Sequence, residues 1–477
     1  MIVASTGFSL RYMLRTELLN DLFKKVKSIH VFCIVSEDDI ENLKADHFDS
    51  RISLVSVDLN QARRESSKMG GGVFQQLRRC VLDNRLNTGT ADYWKQNFFD
   101  KYVAISGFHK LKQYILRGLI WILRRSPAAR IMLRHIEEKF VSSREISTLF
   151  DRIEPDFLVT PSVGVFQLDA LLIREARARS IKSLGIITNW DHCVSKGTAG
   201  ATPDESLVWG ESMIEQLMTH HDIPEEKITI CGPMHYDPYF REDFFDGRDT
   251  FCQSISLDPR RKIIFYAAMS PRSYPWNPNV IERLIKSCES GKFGEGAQLL
   301  VRLHPNHLHG QFDWPEQWRK EEIAYASFME QHNNVFIMSP EGRSSKGSFD
   351  LTRGDTRVLA NCLRHCDVLV CFFSTLNVEA AIFDKPVVNC NIYTRQRGNV
   401  VDKTAVTSLS HLQPLLRFES SRVVETDSEM EEAIANYVRD PSLDRVARKK
   451  LFGYVFGDYK GRATETVASE LAKRILN

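Results

Sequence analysis

The stretch Lys262–Tyr393 constrains the fold of this chain more than any other. KIIFYAAMS (Lys262–Ser270) reads as a buried strand running into a loop. QLLVRLHPN (Gln298–Asn306) reads as a second strand whose end carries Arg302, His304 and Pro305. CDVLVCFFSTLNVEAAIFDKPVVN (Cys366–Asn389) reads as strand, turn, helix, proline and strand. Strands alternating with helices in this way predict a parallel α/β sheet. Ligands of such sheets bind beyond the carboxyl ends of the strands, where unpaired N–H groups and partial positive charge gather. Ser270, the Arg302–Pro305 segment and the Ser374-Thr375 turn all fall at such ends, a setting suited to a phosphate anion.

The same rhythm opens the chain. MIVAST (Met1–Thr6) reads as a strand, Arg11–Lys27 as an amphipathic helix, and Ile29–Ser36 and Ser53–Leu59 as further strands. Gly7 stands where the backbone must turn tightly, and Ser9 where a helix needs a cap. Residues 61–150 break the pattern: they are helical, basic and aromatic, with Gly70-Gly71-Gly72 as punctuation. Within them His109–His135 mixes apolar and basic residues at near-helical spacing. That pattern suits a helix lying on a membrane surface near a lipid-linked acceptor, and equally a helical insertion packed on its own domain. The α/β rhythm returns at Pro155–Gly164 and Leu184–Asn189.

The expected architecture is therefore α/β, two Rossmann-like domains with a helical insertion at about 61–150 in the first. The first domain is expected over 1–203 and the second over 204–460, with a helix at 461–477 crossing back to the first. A chain of 477 residues exceeds one ordinary core, which agrees with two domains. Lysine and arginine number 63 against 61 acidic residues, so no global charge favours nucleic acid. Ten cysteines sit mostly in apolar segments and read as buried thiols of a cytoplasmic protein. No secretory leader pattern opens the sequence, and no window reaches the ~18–20 apolar residues that span a bilayer.

The His304-Pro305 strand end followed by Ser374-Thr375 at a helix start resembles the donor site of GT-B glycosyltransferases. It is closest to the branches using CMP-sugars (bacterial sialyl- and Kdo-transferases) or CDP-glycerol (teichoic acid polymerases). The segments Ile181–Gly197 and Pro203–Tyr239 resemble the crossing from the first GT-B domain into the second. The resemblance implies that His304, Ser374 and Thr375 hold the nucleotide phosphates, with Ser270, Arg302 and Pro305 around them. It implies a ribose contact for Glu379. The glycine-rich donor loop of the well-known UDP-sugar enzymes is missing, which favours a CMP- or CDP-linked donor. A role in surface polysaccharide assembly (capsule or lipopolysaccharide) follows, at the cytoplasmic side of the plasma membrane. A UDP-sugar transferase, a sugar-nucleotide 2-epimerase and a non-catalytic GT-B-like subunit remain open beside it.

The chemistry of inverting transfer needs a held leaving phosphate and a base for the acceptor proton. No D-x-D motif follows an apolar strand, the nearest match being Asp243–Asp246 in a charged linker, so no metal is expected. His304, His307 and His309 lack a nearby carboxylate or thiol to complete a metal site. For the base, Asp191 and His192 in TNWDH stand at a strand tip of the first domain, with Asn189 beside them as an acceptor contact. Burial against Trp190 would raise the Asp191 pKa towards a useful range. Asp191 capping its own turn is the alternative. Arg11 and Arg15, one helical turn apart beside the Gly7 loop, are expected with Gly7 to meet an acidic acceptor or a donor carboxylate, solvent-exposed helix arginines being the alternative.

Overall fold

The computed structural model describes residues 1–36, 40, 43, 48–99, 110–271, 274–307, 315–345, 348–392 and 407–476. His109 and His309 lie outside them. Two compact units emerge: Met1–Asp237 with Ser408–Gln413 and Val455–Asn477, and Pro238–Thr407 with Pro414–Tyr454.

The first unit carries seven strands, β1 (Ile2–Val3), β2 (Val31–Ser36), β3 (Ile52–Val57), β4 (Phe157–Thr160), β5 (Lys182–Ile186), β6 (Glu205–Val208) and β7 (Ile228–Ile230). All neighbours are parallel, in the order β3-β2-β1-β4-β5-β6-β7. Side chains alternate across the sheet as the two-residue strand period requires. Ile2, Cys33 and Val35 enter a core with Leu22, Phe23, Val467 and Leu471. Val3, Ile34 and Leu158 enter a second core with Phe150, Leu172 and Ile173. The helix Ala463–Leu476 is thus an integral layer of this unit, packed beside the helix Leu18–Lys25.

Three expectations are corrected here. Strands β6 and β7 complete the first sheet, so the first unit continues to Asp237 where residue 203 was expected to end it. The helix expected over Arg11–Lys27 is two helices, Gly7–Met13 and Leu18–Lys25. The Thr16 hydroxyl donates to the Tyr12 carbonyl (2.8 Å) and accepts from the Leu18 N–H (3.4 Å). It thereby ends one helix and starts the next, as hydroxyl side chains do when they compete for backbone groups. Nor is Ser9 the cap. Thr6 takes that position, and Ser9 reciprocates from the third helical residue in a capping box.

The second unit holds β8 (Ile263–Ala267), β9 (Gln298–Arg302) and β10 (Val335–Met338). An antiparallel hairpin, β11 (Gly342–Ser345) and β12 (Ser348–Leu351), follows. Next come β13 (Val368–Cys371), β14 (Val387–Cys390) and β15 (Arg422–Val424). The main sheet is parallel, in the order β10-β9-β8-β13-β14-β15. Both sheets therefore reverse strand order once, between β1 and β4 and between β8 and β13. Such switch points open a crevice at the carboxyl edge.

The insertion of the first unit runs from the helix Leu59–Lys68 to the helix Arg144–Ile153. Gly70, at φ 86°, starts the helix Gly71–Arg79 from a left-handed conformation that few residues but glycine adopt without strain. All ten cysteines are buried and unbridged. No helix among the described residues is long and apolar enough to cross a membrane.

Candidate functional site

In the second unit Arg302, Ala267 and Cys371 stand side by side in register, so the loops after β9, β8 and β13 leave from one edge. Two of these loops are pinned by a buried amide. After β8, Asn277 accepts from the Tyr266 hydroxyl (2.9 Å) and the Met269 N–H (3.0 Å) and donates to the Met269 and Tyr274 carbonyls. After β13, Asn389 accepts from the Phe373 N–H (2.9 Å) and exchanges hydrogen bonds with Asn377 (3.1 and 2.8 Å). That network holds Phe373 at φ 40°, a left-handed conformation costly for an aromatic residue. Strain held by buried hydrogen bonds clusters at sites where the backbone has a task. Neither asparagine was singled out by sequence; an amide inside a strand or helix carries no local signal.

Asn306 ties two of the loops together, donating from its side chain to the Ser270 hydroxyl at 2.7 Å. Its backbone N–H donates to His304 Nδ1 at 2.9 Å, which fixes the neutral tautomer with the proton on Nε2. Burial, with His307 beside it, lowers the His304 pKa to about 3, so the ring is a neutral hydrogen-bond donor. Pro305 begins a short 3-10 turn that carries Asn306. Ser374 accepts the Leu376 N–H on its hydroxyl (3.2 Å), and Thr375 stands at the start of the helix Leu376–Ile382 with no side-chain cap bond. Glu379 is buried in that helix and accepts from the Tyr239 hydroxyl at 2.8 Å.

Arg302 departs from expectation. Its guanidinium is buried and bonded to the Asp355 carboxylate at 2.6 Å, and Asp355 also accepts the Glu341 N–H. The β9 arginine therefore anchors the helix Arg353–His365 in place of meeting a phosphate. His307 faces Glu321 at 3.2 Å, and no group of three or more potential metal ligands occurs among the described residues.

In the first unit, the tip after β5 gathers a second cluster. Asp191 begins the short helix His192–Ser195; its Oδ2 accepts from the Ser195 hydroxyl (2.6 Å) and faces Lys196 (3.4 Å). Burial alone would raise this carboxyl, but Lys196, His192, His411 and the Ser195 hydroxyl outweigh it and hold the pKa below the ordinary carboxylate range. The expected rise is overturned, and so is the turn cap, since Asp191 makes no side-chain cap bond. Burial lowers His192 to about 4, edge-on to Phe166 at 5.1 Å. Sequence reading missed His411, which packs edge-on against Trp190 at 5.8 Å. It arrives on the Ser408–Gln413 segment, far along the chain.

Four buried polar atoms of this cluster have no hydrogen-bond partner among the described residues: Trp190 Nε1, Asp191 Oδ1, His192 Nδ1 and His411 Nδ1. Native interiors rarely leave such atoms unmatched, and a polar ligand or water is the usual partner. Nearby, Asp169 accepts from Ser162 beyond β4, and burial raises it to about 7. Asn189 contributes its carbonyl to the His192 N–H (3.2 Å). Gly7 and Arg11 lie on the first helix, whereas Arg15 lies beyond its end, so the two arginines do not share a helical face.

No protein-family model and no curated protein matches the chain. Among solved structures it is similar to a candidate UDP-N-acetylglucosamine 2-epimerase from Listeria monocytogenes. The identity is 11% over 100% of this chain and 94% of that one, with TM-score 0.53. A UDP-N-acetylglucosamine 2-epimerase matches at 14% over 99% and 94%, with TM-score 0.50. At such identities the likeness shows the fold alone: two parallel-sheet α/β units of the GT-B type.

Proposed function

We propose that the chain is a GT-B glycosyltransferase that binds a nucleotide-activated sugar at the β8–β9–β13 edge. It passes the sugar to a glycan or lipid-linked acceptor in surface polysaccharide assembly. The observation that supports this reading most is the convergence of Ser270, His304 and the Ser374-Thr375 turn on one switch-point edge, with Asn306 bridging two of the loops. In the transfer, the bond from the sugar's anomeric carbon to the donor phosphate breaks as a bond to the acceptor oxygen forms. The acceptor proton passes to a base. With Arg302 neutralised by Asp355, phosphate binding falls to hydrogen-bond donors: the His304 Nε2–H, hydroxyls and backbone N–H groups. Preorganised donors of this kind stabilise developing charge without a formal cation. Asp191 and His192 are the groups assigned to the proton.

Replacing His304 with alanine is expected to weaken nucleotide binding by about 1.5–3 kcal/mol, the cost of a hydrogen bond to a charged group. Because the ring is neutral down to about pH 3, nucleotide-sugar affinity should stay flat between pH 5 and 8. Calorimetry on both proteins checks this; an unchanged dissociation constant in His304→Ala removes His304 from the site.

The strand-end motifs favour a cytidine donor, so CMP or CDP should bind more tightly than UDP in side-by-side titrations. The names of the two fold neighbours support a second reading, a UDP-sugar 2-epimerase. Product analysis separates them. A transferase releases nucleotide only when acceptor is present, whereas an epimerase converts the nucleotide sugar with no acceptor and no release.

A further inference from the structure

We propose that the outward face of the helical hairpin Lys110–Phe140 docks the protein on an anionic lipid bilayer. The hairpin consists of the helices Lys110–Leu123 and Pro127–Phe140. Its inner face is fixed to the first unit. Ile120, Leu123 and Leu133 pack with Leu77, Cys80 and Phe99. Arg124 bonds the Cys80 carbonyl and Asp92, and Arg130 and Arg134 bond Asp222. The arginines that would be expected to meet headgroups thus point inward.

What points outward is apolar. Ile115, Trp121, Ile122, Met132 and Phe140 are between 46% and 64% exposed, and Tyr114, Leu119, Ile131 and Ile136 are exposed beside them. They recur at helical spacing, 114/115, 119 and 121/122 on one helix, and 131/132, 136 and 140 on the other. Exposed apolar stripes of this extent mark an interaction surface.

The charges choose the occupant. From Tyr114 to Phe140 the exposed charged residues are Arg117, Arg125 and Lys139, all basic. The two acidic residues are withdrawn: Glu137 is fully buried and Glu138 pairs with Arg177 at 3.1 Å. Arg125 lies over the Trp121 ring at 4.5 Å, placing a cation at the margin of an amphipathic aromatic. Tyrosine and tryptophan with a purely cationic rim match the boundary between acyl chains and anionic headgroups. Helices of 14 residues reach only about 21 Å, short of the ~30 Å hydrocarbon core, so they lie in the surface plane.

The test is flotation of the full chain with vesicles of phosphatidylcholine alone and of phosphatidylcholine with roughly one-third phosphatidylglycerol. The wild type is expected to float with the anionic vesicles and at least tenfold more weakly with the neutral ones. Trp121→Ser with Ile131→Ser and Met132→Ser should lower binding at least tenfold while leaving the thermal midpoint unchanged, because all three side chains are exposed. Arg117→Gln with Arg125→Gln and Lys139→Gln should erase the preference for anionic vesicles, each charge being worth about fivefold. Wild-type protein that floats with neither vesicle, or variants that bind as well as wild type, would overturn the proposal. So would a self-association abolished by the same substitutions, which would make a second copy the occupant. Nucleotide titration of the variants stays unchanged in every case, so this surface and the donor site succeed or fail separately.

Discussion

Replacing Arg130 by alanine is expected to destabilise the protein by about 3 kcal/mol, read as a lowered urea midpoint. The side chain is completely buried. It donates to Asp222 (3.1 and 2.6 Å), to the Leu123 carbonyl (2.8 Å) and to the Thr219 carbonyl (3.3 Å), and it faces Asp83 at 2.8 Å. Deleting one member of a buried ionic cluster leaves the others desolvated and unpaired, typically at about 3–5 kcal/mol. The lower end applies because Arg134 still holds Asp222 and Arg85 still holds Asp83. The next residue supplies the control. Ile131 is exposed, and Ile131→Ser should change stability by no more than about 0.5 kcal/mol. Equal effects from the two substitutions would mean that this helix does not present the faces described.

That contrast shows where sequence reading reached and where it stopped. Spacing identified a basic, apolar helical segment, but helical periodicity alone does not say which stripe faces the core. The decision rests on Asp222, 92 residues from Arg130 along the chain. Arg302 repeats the lesson: its partner Asp355 lies 53 residues away, so an arginine at a strand end looked available for phosphate when it was already paired. Strands β8, β9, β13 and β14 were legible because each is a continuous apolar run next to turn residues. Strand β7, three residues of which one is exposed, and β15, three residues with Arg422 outward, offer no such run. Missing β7 shifted the expected domain boundary. His304 and the Ser374-Thr375 turn were visible as motifs, whereas the asparagines that hold their loops were not, since their value depends wholly on the backbone groups brought to them.

Asp191→Asn is expected to lower the turnover number by roughly 10²-fold, the lower end of the 10²–10⁴ range for loss of a positioned base. The two carboxylate oxygens of Asp191 differ in their partners. Oδ2 is occupied by Ser195 and Lys196, which keeps the group ionised throughout the physiological range. Oδ1 is buried without a hydrogen-bond partner among the described residues, so one acceptor position remains for a substrate hydroxyl. A carboxylate held this far below its ordinary pKa takes a proton reluctantly, which is why the lower end of the range applies. Asparagine keeps the shape and can still accept from Ser195 through its carbonyl, so folding should be preserved, and nucleotide affinity should change by less than about twofold. A depressed carboxylate remains charged as pH falls to 4, so any acid limb in turnover between pH 4 and 6 belongs to another group. His192 and His411, neutral and adjacent, are the candidates; His192→Asn should remove its share of that limb, whereas Asp191→Asn, which deletes the anion that raises both imidazoles, should shift the limb to lower pH. Turnover unchanged by Asp191→Asn would return Asp191 to a structural role and leave the proton to His192.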